Sequence, residues 1–300
     1  MINSETEAQT VLVTGGSGFT AGWIIIALLN RGYLVRTTIR SRTREAEVRA
    51  AMGRQSGYVD RLTFCSADLL NDVGWEKATE HTDYIIHVAS PLPVGEFRGT
   101  DLIAAAREGT MRVLRAGEKT GVKRFVLTGS VAAALPPAGY AGGPTDETVW
   151  TDPANKATDE YARSKTLAEL AAWQFVRDHR GESTLTTILP NMIQGPVIGR
   201  DPGASAEVVQ RMLLGKVPAI PRIGFGIVDV RDLADIHVAA LTHPAAAGQR
   251  LIACGEFLWL TDFARLLREG LGTAADRVPV RKLPDWLLRL SAIFSVEARM

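Results

Sequence analysis

The sequence predicts an α/β fold: a doubly wound parallel sheet followed by a smaller C-terminal lobe. Three observations predict it. A β-branched run, TVLVT at 10–14, breaks directly into glycines at Gly15. Strand-like and helix-like stretches then alternate through residue 189. After Pro190 the alternation weakens, and Gly and Pro punctuate the chain from 195 to 221. Alternating strands and helices imply a parallel sheet covered on both faces, because each parallel crossover needs a long connection, usually a helix.

Residues 10–14 read as a buried strand entering a tight turn. Residues 21–30 suit a helix, closed by Gly32 where a left-handed conformation costs little. Strands follow at 34–39, 62–66, 84–88 and 125–128. Helical stretches lie between them at 44–52, 74–79 and 99–120. A long helix covers 160–179, and a strand covers 184–189. Beyond the break, 225–228 reads as one more strand, with helices at 229–241 and 261–270. No internal repeat interrupts this order.

Composition narrows the class. Three hundred residues hold one large domain or two lobes. With 46% hydrophobic and 22% charged residues, the chain is globular rather than disordered. Lys and Arg number 34 against 33 Asp and Glu, which excludes a broad nucleic-acid surface. The apolar run at 23–29 falls far short of the roughly 20 residues that span a bilayer, and MINSETEAQ at the N-terminus has no apolar signal core. Two cysteines, Cys65 and Cys254, make neither a disulfide framework nor a cysteine-based metal site. The expectation is a cytoplasmic protein acting on a small molecule, without membrane or nucleic-acid partners.

The first strand runs into Gly15-Gly16-Ser17-Gly18-Phe19-Thr20-Ala21-Gly22. Such a turn lets backbone amides and a helix N-terminus approach a pyrophosphate without Cβ clashes, the Rossmann-type arrangement. At the second strand's end an NAD site usually places an acid. Here Arg36-Thr37-Thr38-Ile39-Arg40-Ser41-Arg42-Thr43-Arg44 carries none until Glu45. Guanidinium forks suit a 2′-phosphate, so the reading favours NADP(H) over NAD(H). Asp68 is either an acceptor for the adenine amino group or a turn and cap aspartate.

Tyr161 and Lys165 stand four apart on one helix face. A phenol is a sluggish proton donor near neutral pH, and a neighbouring cation favours its phenolate. Tyr161 is therefore a candidate proton donor to a carbonyl oxygen. Lys165 is a candidate to tune it and to hold the cofactor ribose. Ser130 follows the fifth strand, at the sheet end where open α/β folds build their sites; it is a candidate to orient substrate, or a capping residue.

With these elements in place, the chain resembles the extended short-chain dehydrogenase/reductase family. It is most similar to the branch of dihydroflavonol reductases, cinnamoyl-CoA reductases and microbial aldehyde and ketone reductases. The resemblance rests on VTGGSGFTAGW (13–23), GYLVRTTIR (32–40), ADL (67–69), HVASP (87–91), KRFVLTGSVAA (123–133), DETVW (146–150), YARSKTLAELAAW (161–173), ILPNMIQGP (188–196) and VDVRDLADIHVAAL (228–241). It implies Ser130, Tyr161 and Lys165 as the catalytic triad. For the cofactor it implies Gly15, Ser17, Gly18, Phe19 and Thr20 at the turn, whose motif ends in Ala21. It also implies Arg40 selecting NADPH, Asp68 and Leu69 on the adenine side, Ala89 on the nicotinamide side, and Pro190 and Met192 near the carboxamide.

The family pattern is not complete. Gly129 stands where many relatives carry Ser or Thr, Asn191-Met192 after Pro190 is unusual, and residues 135–143 are peculiar to this chain. Relatives usually continue beyond the point matching Met300.

The expected organisation is an NADP(H)-binding domain at 1–190, with a return near 226–245. A substrate lobe then comprises 191–225 and 246–300. The expected activity is NADPH-dependent reduction of a ketone or aldehyde, reversible as alcohol oxidation, by a monomer or homodimer. The rivals are a sugar-nucleotide epimerase or dehydratase, which uses the same Tyr and Lys, and a non-enzymatic NADP-binding regulator, which tends to lose them. His81, His87, His179, His237 and His243 show no metal spacing, and His87 reads as a core histidine. Trp150 lines a pocket or packs. On the 160–179 helix, Leu167, Leu170, Ala171 and Phe175 face either the sheet or a second subunit.

Overall fold

The computed structural model describes residues 8–91, 101–137, 139–284 and 286. The polar N-terminal segment, the start expected for the fourth helix at 99 and the end of the expected lobe lie outside them.

The elements follow in chain order: β1 (Thr10–Val13), α1 (Phe19–Asn30), β2 (Leu34–Ile39), α2 (Glu45–Gly53), β3 (Leu62–Ser66), α3 (Trp75–Thr79), β4 (Tyr84–His87), α4 (Leu102–Lys119) and β5 (Arg124–Thr128). Then come α5 (Glu160–His179), β6 (Leu185–Pro190), β7 (Met192–Gln194), α6 (Gly203–Leu213), β8 (Gly224–Asp229), α7 (Val230–Thr242), β9 (Arg250–Ala253), β10 (Phe257–Trp259) and α8 (Leu260–Leu271). Two compact units result. The first comprises Met1–Pro190, Val197–Asp201 and Val230–Ala253; the second comprises Asn191–Pro196, Pro202–Asp229 and Cys254–Met300.

The first unit is built on a seven-stranded sheet in the order β3-β2-β1-β4-β5-β6-β9, parallel throughout. Strand order reverses between β1 and β4, which is where open α/β sheets form their ligand crevice. On one face Leu12, Ile85, Phe125, Leu127 and Leu185 pack under Val113 and Leu114 of α4 and Trp173, Phe175 and Val176 of α5. Helices α1 and α7 pack together. Ile24, Ile25, Leu28 and Leu29 of α1 are fully buried. The β1 and β4 strands read as largely apolar runs because both faces are covered.

In the second unit β8 is the centre of a three-stranded sheet, parallel to β7 and antiparallel to β10. Met192, Met212, Ile220, Leu260, Phe263 and Val278 form its core.

The division differs from the expected one in a definite way. The strand expected at 225–228 pairs with β7 and β10, so it belongs to the second unit. The return to the large sheet is instead 230–253, ending in β9, which extends the β6 edge. Among the α-helices and strands of the described residues, four escaped the sequence reading: β7, α6, β9 and β10. The three strands are of three or four residues, too short for periodicity to mark. On α5, Leu167, Leu170 and Ala171 are only half-buried. The helix turns Ala162, Lys165, Ala168, Glu169, Ala172 and Trp173 inward instead.

Candidate active site

The turn after β1 is shaped by glycine. Gly15 has φ +76°, and a Cβ there would come within 3.0 Å of the Ala89 Cβ, so the turn lies directly against the chain leaving β4. Gly15 N–H donates to Thr38 Oγ1 at 3.0 Å, Gly16 N–H to Thr38 O at 2.9 Å and Gly18 N–H to Gly15 O at 2.9 Å. Gly18 caps α1 without a side-chain acceptor, and the first turn holds no acid. Helix amides and dipole thus point where a phosphate oxygen would sit, and the cradle fits a dinucleotide pyrophosphate. Ser17, Gly18 and Thr20 are half-buried, and Phe19 is buried.

The basic stretch at the end of β2 is not one cluster. Arg36 donates to the carbonyls of Ala78 at 3.0 Å and of Glu80, closing the C-terminal end of α3. Arg42 donates to Phe64 O at 2.7 Å. These two hold neighbouring backbone, which corrects their reading as phosphate ligands. Arg40 is exposed at the strand end.

Asp68 Oδ1 accepts from Leu70 N–H at 3.0 Å, the turn alternative raised from its spacing. Leu69 is buried in the core under α4. Pro190 is buried at the end of β6, and Met192 belongs to the core of the second unit.

Helix α5 starts at Asp159, whose carboxylate accepts from Ala162 N–H at 2.8 Å. One turn of helix brings the Lys165 ammonium to 5.5 Å from the centre of the Tyr161 ring. Lys165 is buried, and its Nζ donates to Ser90 Oγ at 2.8 Å, at the exit of β4. Ser90 was missed in the sequence; its only signal was its place in HVASP. Ser130 is buried after β5, and its Oγ accepts from Ala132 N–H at 3.2 Å. A Cβ at Gly129 would lie 2.6 Å from Leu189 Cδ2, which accounts for glycine at this departure from the family pattern.

Two buried histidines stand behind the strand ends. Thr14 Oγ1 accepts from Val88 and Ala89 N–H at 3.0 and 2.9 Å, so its own proton goes to His87 Nδ1 at 2.8 Å. His87 is therefore neutral, and burial, reinforced by the Lys165 charge, pushes its pKa down to about 3. His237 Nδ1 donates to Leu233 O and its Nε2 accepts from Thr128 Oγ1, each at 2.8 Å, and burial pushes its pKa down to about 4. Unfolded, both titrate near 6.5. Below that pH the unfolded chain takes up protons that the folded chain refuses, so stability falls as pH drops from 6.5 toward 4. At pH 5 the expected loss is on the order of 2 kcal/mol per histidine. Urea unfolding at pH 7 and pH 5 checks this, and equal midpoints would refute it.

Behind Ser130 lies a buried ion pair that the sequence did not reveal. Glu169, two turns beyond Tyr161, meets Arg250 of β9 at 2.9 Å. Thr187 Oγ1 also donates to Glu169 at 2.7 Å. Arg250 donates further to Val149 O at 2.8 Å and to Ala133 O at 3.2 Å, and it stacks on Trp150 at 3.5 Å. Trp150 is thus a packing residue, and the strands, the Ser130 turn and α5 share one charged node. An acid on the inward face of α5 was the one hint in the sequence.

Residues 11–255 match the NAD dependent epimerase/dehydratase family. The chain belongs to this family. Cinnamoyl-CoA reductase 1 of Oryza sativa subsp. japonica is 34% identical over 270 residues, 89% of this chain and 77% of that protein. Tetraketide alpha-pyrone reductase 1 of Arabidopsis thaliana is 34% identical over 245 residues, 80% of this chain and 74% of that protein. Among solved structures, yeast methylglyoxal/isovaleraldehyde reductase Gre2 complexed with NADPH superposes with TM-score 0.79 at 27% identity, covering 91% of this chain and 86% of that one. Within the family the chain stands with the dihydroflavonol, cinnamoyl-CoA and aldehyde reductase branch that its motifs resemble. Among the described residues no helix is long and apolar enough to cross a membrane, and no group of three His, Cys, Asp or Glu is placed to hold a metal.

Proposed function

We propose that the protein is an NADPH-dependent carbonyl reductase, acting on ketones or aldehydes and reversible as an alcohol dehydrogenase. The observation that carries the proposal is the Tyr161–Lys165 pair, with the ammonium seated on Ser90 at the end of β4. The first unit would bind NADP(H) and the second would carry substrate specificity. NADPH stands bound in the Gre2 structure, and the named relatives are reductases.

The nicotinamide, when bound, supplies the hydride. Gly15, Ser17, Gly18, Phe19 and Thr20 would hold the pyrophosphate, with Arg40 toward the 2′-phosphate and Asp68 and Leu69 toward the adenine. Ala89 and Pro190 would border the nicotinamide. Ser130 donates its hydroxyl to the carbonyl oxygen and fixes its direction. Tyr161 passes its phenolic proton to that oxygen as negative charge develops there. The Lys165 ammonium stabilises the phenolate left behind.

Mixing the protein with NADPH and a panel of aliphatic and aryl aldehydes and ketones tests the assignment. Loss of 340 nm absorbance, stoichiometric with alcohol formed, is expected. An epimerase would leave NADPH unconsumed at turnover, and that result would overturn the proposal.

A further inference from the structure

A cavity opens beside the glycine turn. One wall is Gly16–Phe19, a second is Arg44, Glu47, Val48 and Met52 at α2, and the third is segment 198–201. That segment lies in Val197–Asp201, which belongs to the first unit although the residues flanking it in sequence belong to the second. It is seated firmly. Ile198 is buried, its Cδ1 fills the space that a Cβ at Gly22 would need, 2.7 Å away, and its carbonyl accepts from Arg54 Nη2 at 2.9 Å.

The seat places Arg200 at the cavity. Its Nε lies 3.3 Å from Glu47 Oε1, and Arg44 Nη2 lies 3.5 Å from the same oxygen. One carboxylate oxygen is thus shared between two guanidinium groups that come from segments 156 positions apart. Both separations exceed the roughly 2.7–2.9 Å of a strong charge-assisted hydrogen bond. Glu47 carries one negative charge, whereas a phosphate monoester near neutral pH carries about −1.5 to −2 and offers three acceptor oxygens. The phosphate is the better partner for two forks. Asp201 also lines the cavity, so two cations face two anions. A dianion enters with a net gain only if Glu47 gives up the arginines.

We propose that Arg200, with Arg44, clamps the cofactor's adenosine 2′-phosphate, and that Glu47 occupies the clamp in the free protein and yields on binding. The position decides between the phosphates of a dinucleotide. The pyrophosphate meets the α1 amides, while the cavity extends from the turn toward the start of α2, just beyond the end of β2, where the ribose 2′ position is read. The inference rests on the NADP(H) reading and deepens it, because it makes Glu47 and Arg200 determinants of discrimination between NADPH and NADH.

Isothermal titration of the whole chain with NADPH, NADH, 2′,5′-ADP, 5′-AMP and inorganic phosphate tests it without any carbonyl substrate. Arg200→Ala is expected to weaken NADPH and 2′,5′-ADP about tenfold and to leave NADH and 5′-AMP within about twofold. The Arg200 side chain is 82% exposed, so this variant keeps the fold, and a thermal melt verifies that. Glu47→Gln is expected to tighten NADPH about threefold and to leave NADH unchanged. Equal weakening of NADPH and NADH by Arg200→Ala, or weaker NADPH binding by Glu47→Gln, overturns the clamp. Wild-type protein that binds inorganic phosphate as tightly as 2′,5′-ADP overturns it too, since the site would then be a free-anion site. Wild-type protein that binds neither dinucleotide overturns the cofactor reading itself. An NADPH-over-NADH preference left unchanged by Arg200→Ala overturns the clamp alone.

Discussion

Replacing Tyr161 by Phe is expected to lower kcat for carbonyl reduction by about 10²–10⁴-fold, the usual worth of a positioned proton donor. The dissociation constant for NADPH is expected to stay within about twofold, since the phenolic oxygen is lost from the chemical step and not from cofactor binding. The substitution removes one oxygen and keeps the ring. The α5 start at Asp159, the Lys165–Ser90 hydrogen bond and the buried face of α5 do not depend on that oxygen. Steady-state kinetics with a turned-over carbonyl, paired with direct NADPH titration, separate the two quantities. A Tyr161→Phe enzyme at full rate would remove Tyr161 as the proton donor and the proposed mechanism with it.

The second large effect is on stability. Arg250→Met is expected to cost about 3–5 kcal/mol, because it leaves the Glu169 carboxylate buried without its counter-charge. Glu169 is 1% exposed at its side chain and Arg250 8%, so water offers little relief. The loss extends beyond the pair: the carbonyls of Val149 and Ala133 lose a donor, and Trp150 loses the plane stacked on it. The double variant Glu169→Leu/Arg250→Met is expected to recover part of the loss, since no isolated charge then remains. Urea unfolding of the wild type and the single and double variants checks this. A single variant that unfolds at the wild-type midpoint would show that the node carries no stability.

These two sites differ in how visible they were in the sequence. Tyr161 and Lys165 are four residues apart on one helix, and a helix of any tertiary setting brings them to one face. Gly15 follows a β-branched strand, so the turn and its backbone approach were legible from neighbours alone. Arg250 and Glu169 are 81 positions apart. Nothing local pairs them; β9 must first join the edge of β6, and β9 is four residues long.

The arginines after β2 give the same lesson at close range. Sequence placed Arg36, Arg40, Arg42 and Arg44 together, and a phosphate-binding role followed from their type. In the fold Arg36 closes the end of α3, Arg42 holds a β3 carbonyl, and Arg44 faces Glu47. Only Arg36 lies within β2, while Arg42 and Arg44 lie in the short 3-10 turn that follows, so the chain changes direction between them and each meets a different neighbouring element. Likewise Ser90 became part of the site only because β4 and α5 converge on it.

By itself the sequence determined the parallel α/β sheet, the glycine turn and the Tyr–Lys pair, because each rests on dihedral preference and periodicity over a few residues. Tertiary structure alone decided that residues 230–253 return to the large sheet, that Glu169 pairs with Arg250, and that Arg200 reaches Glu47. Those choices are made by burial and charge satisfaction between segments far apart in the chain, which compete over the whole molecule and leave no local pattern.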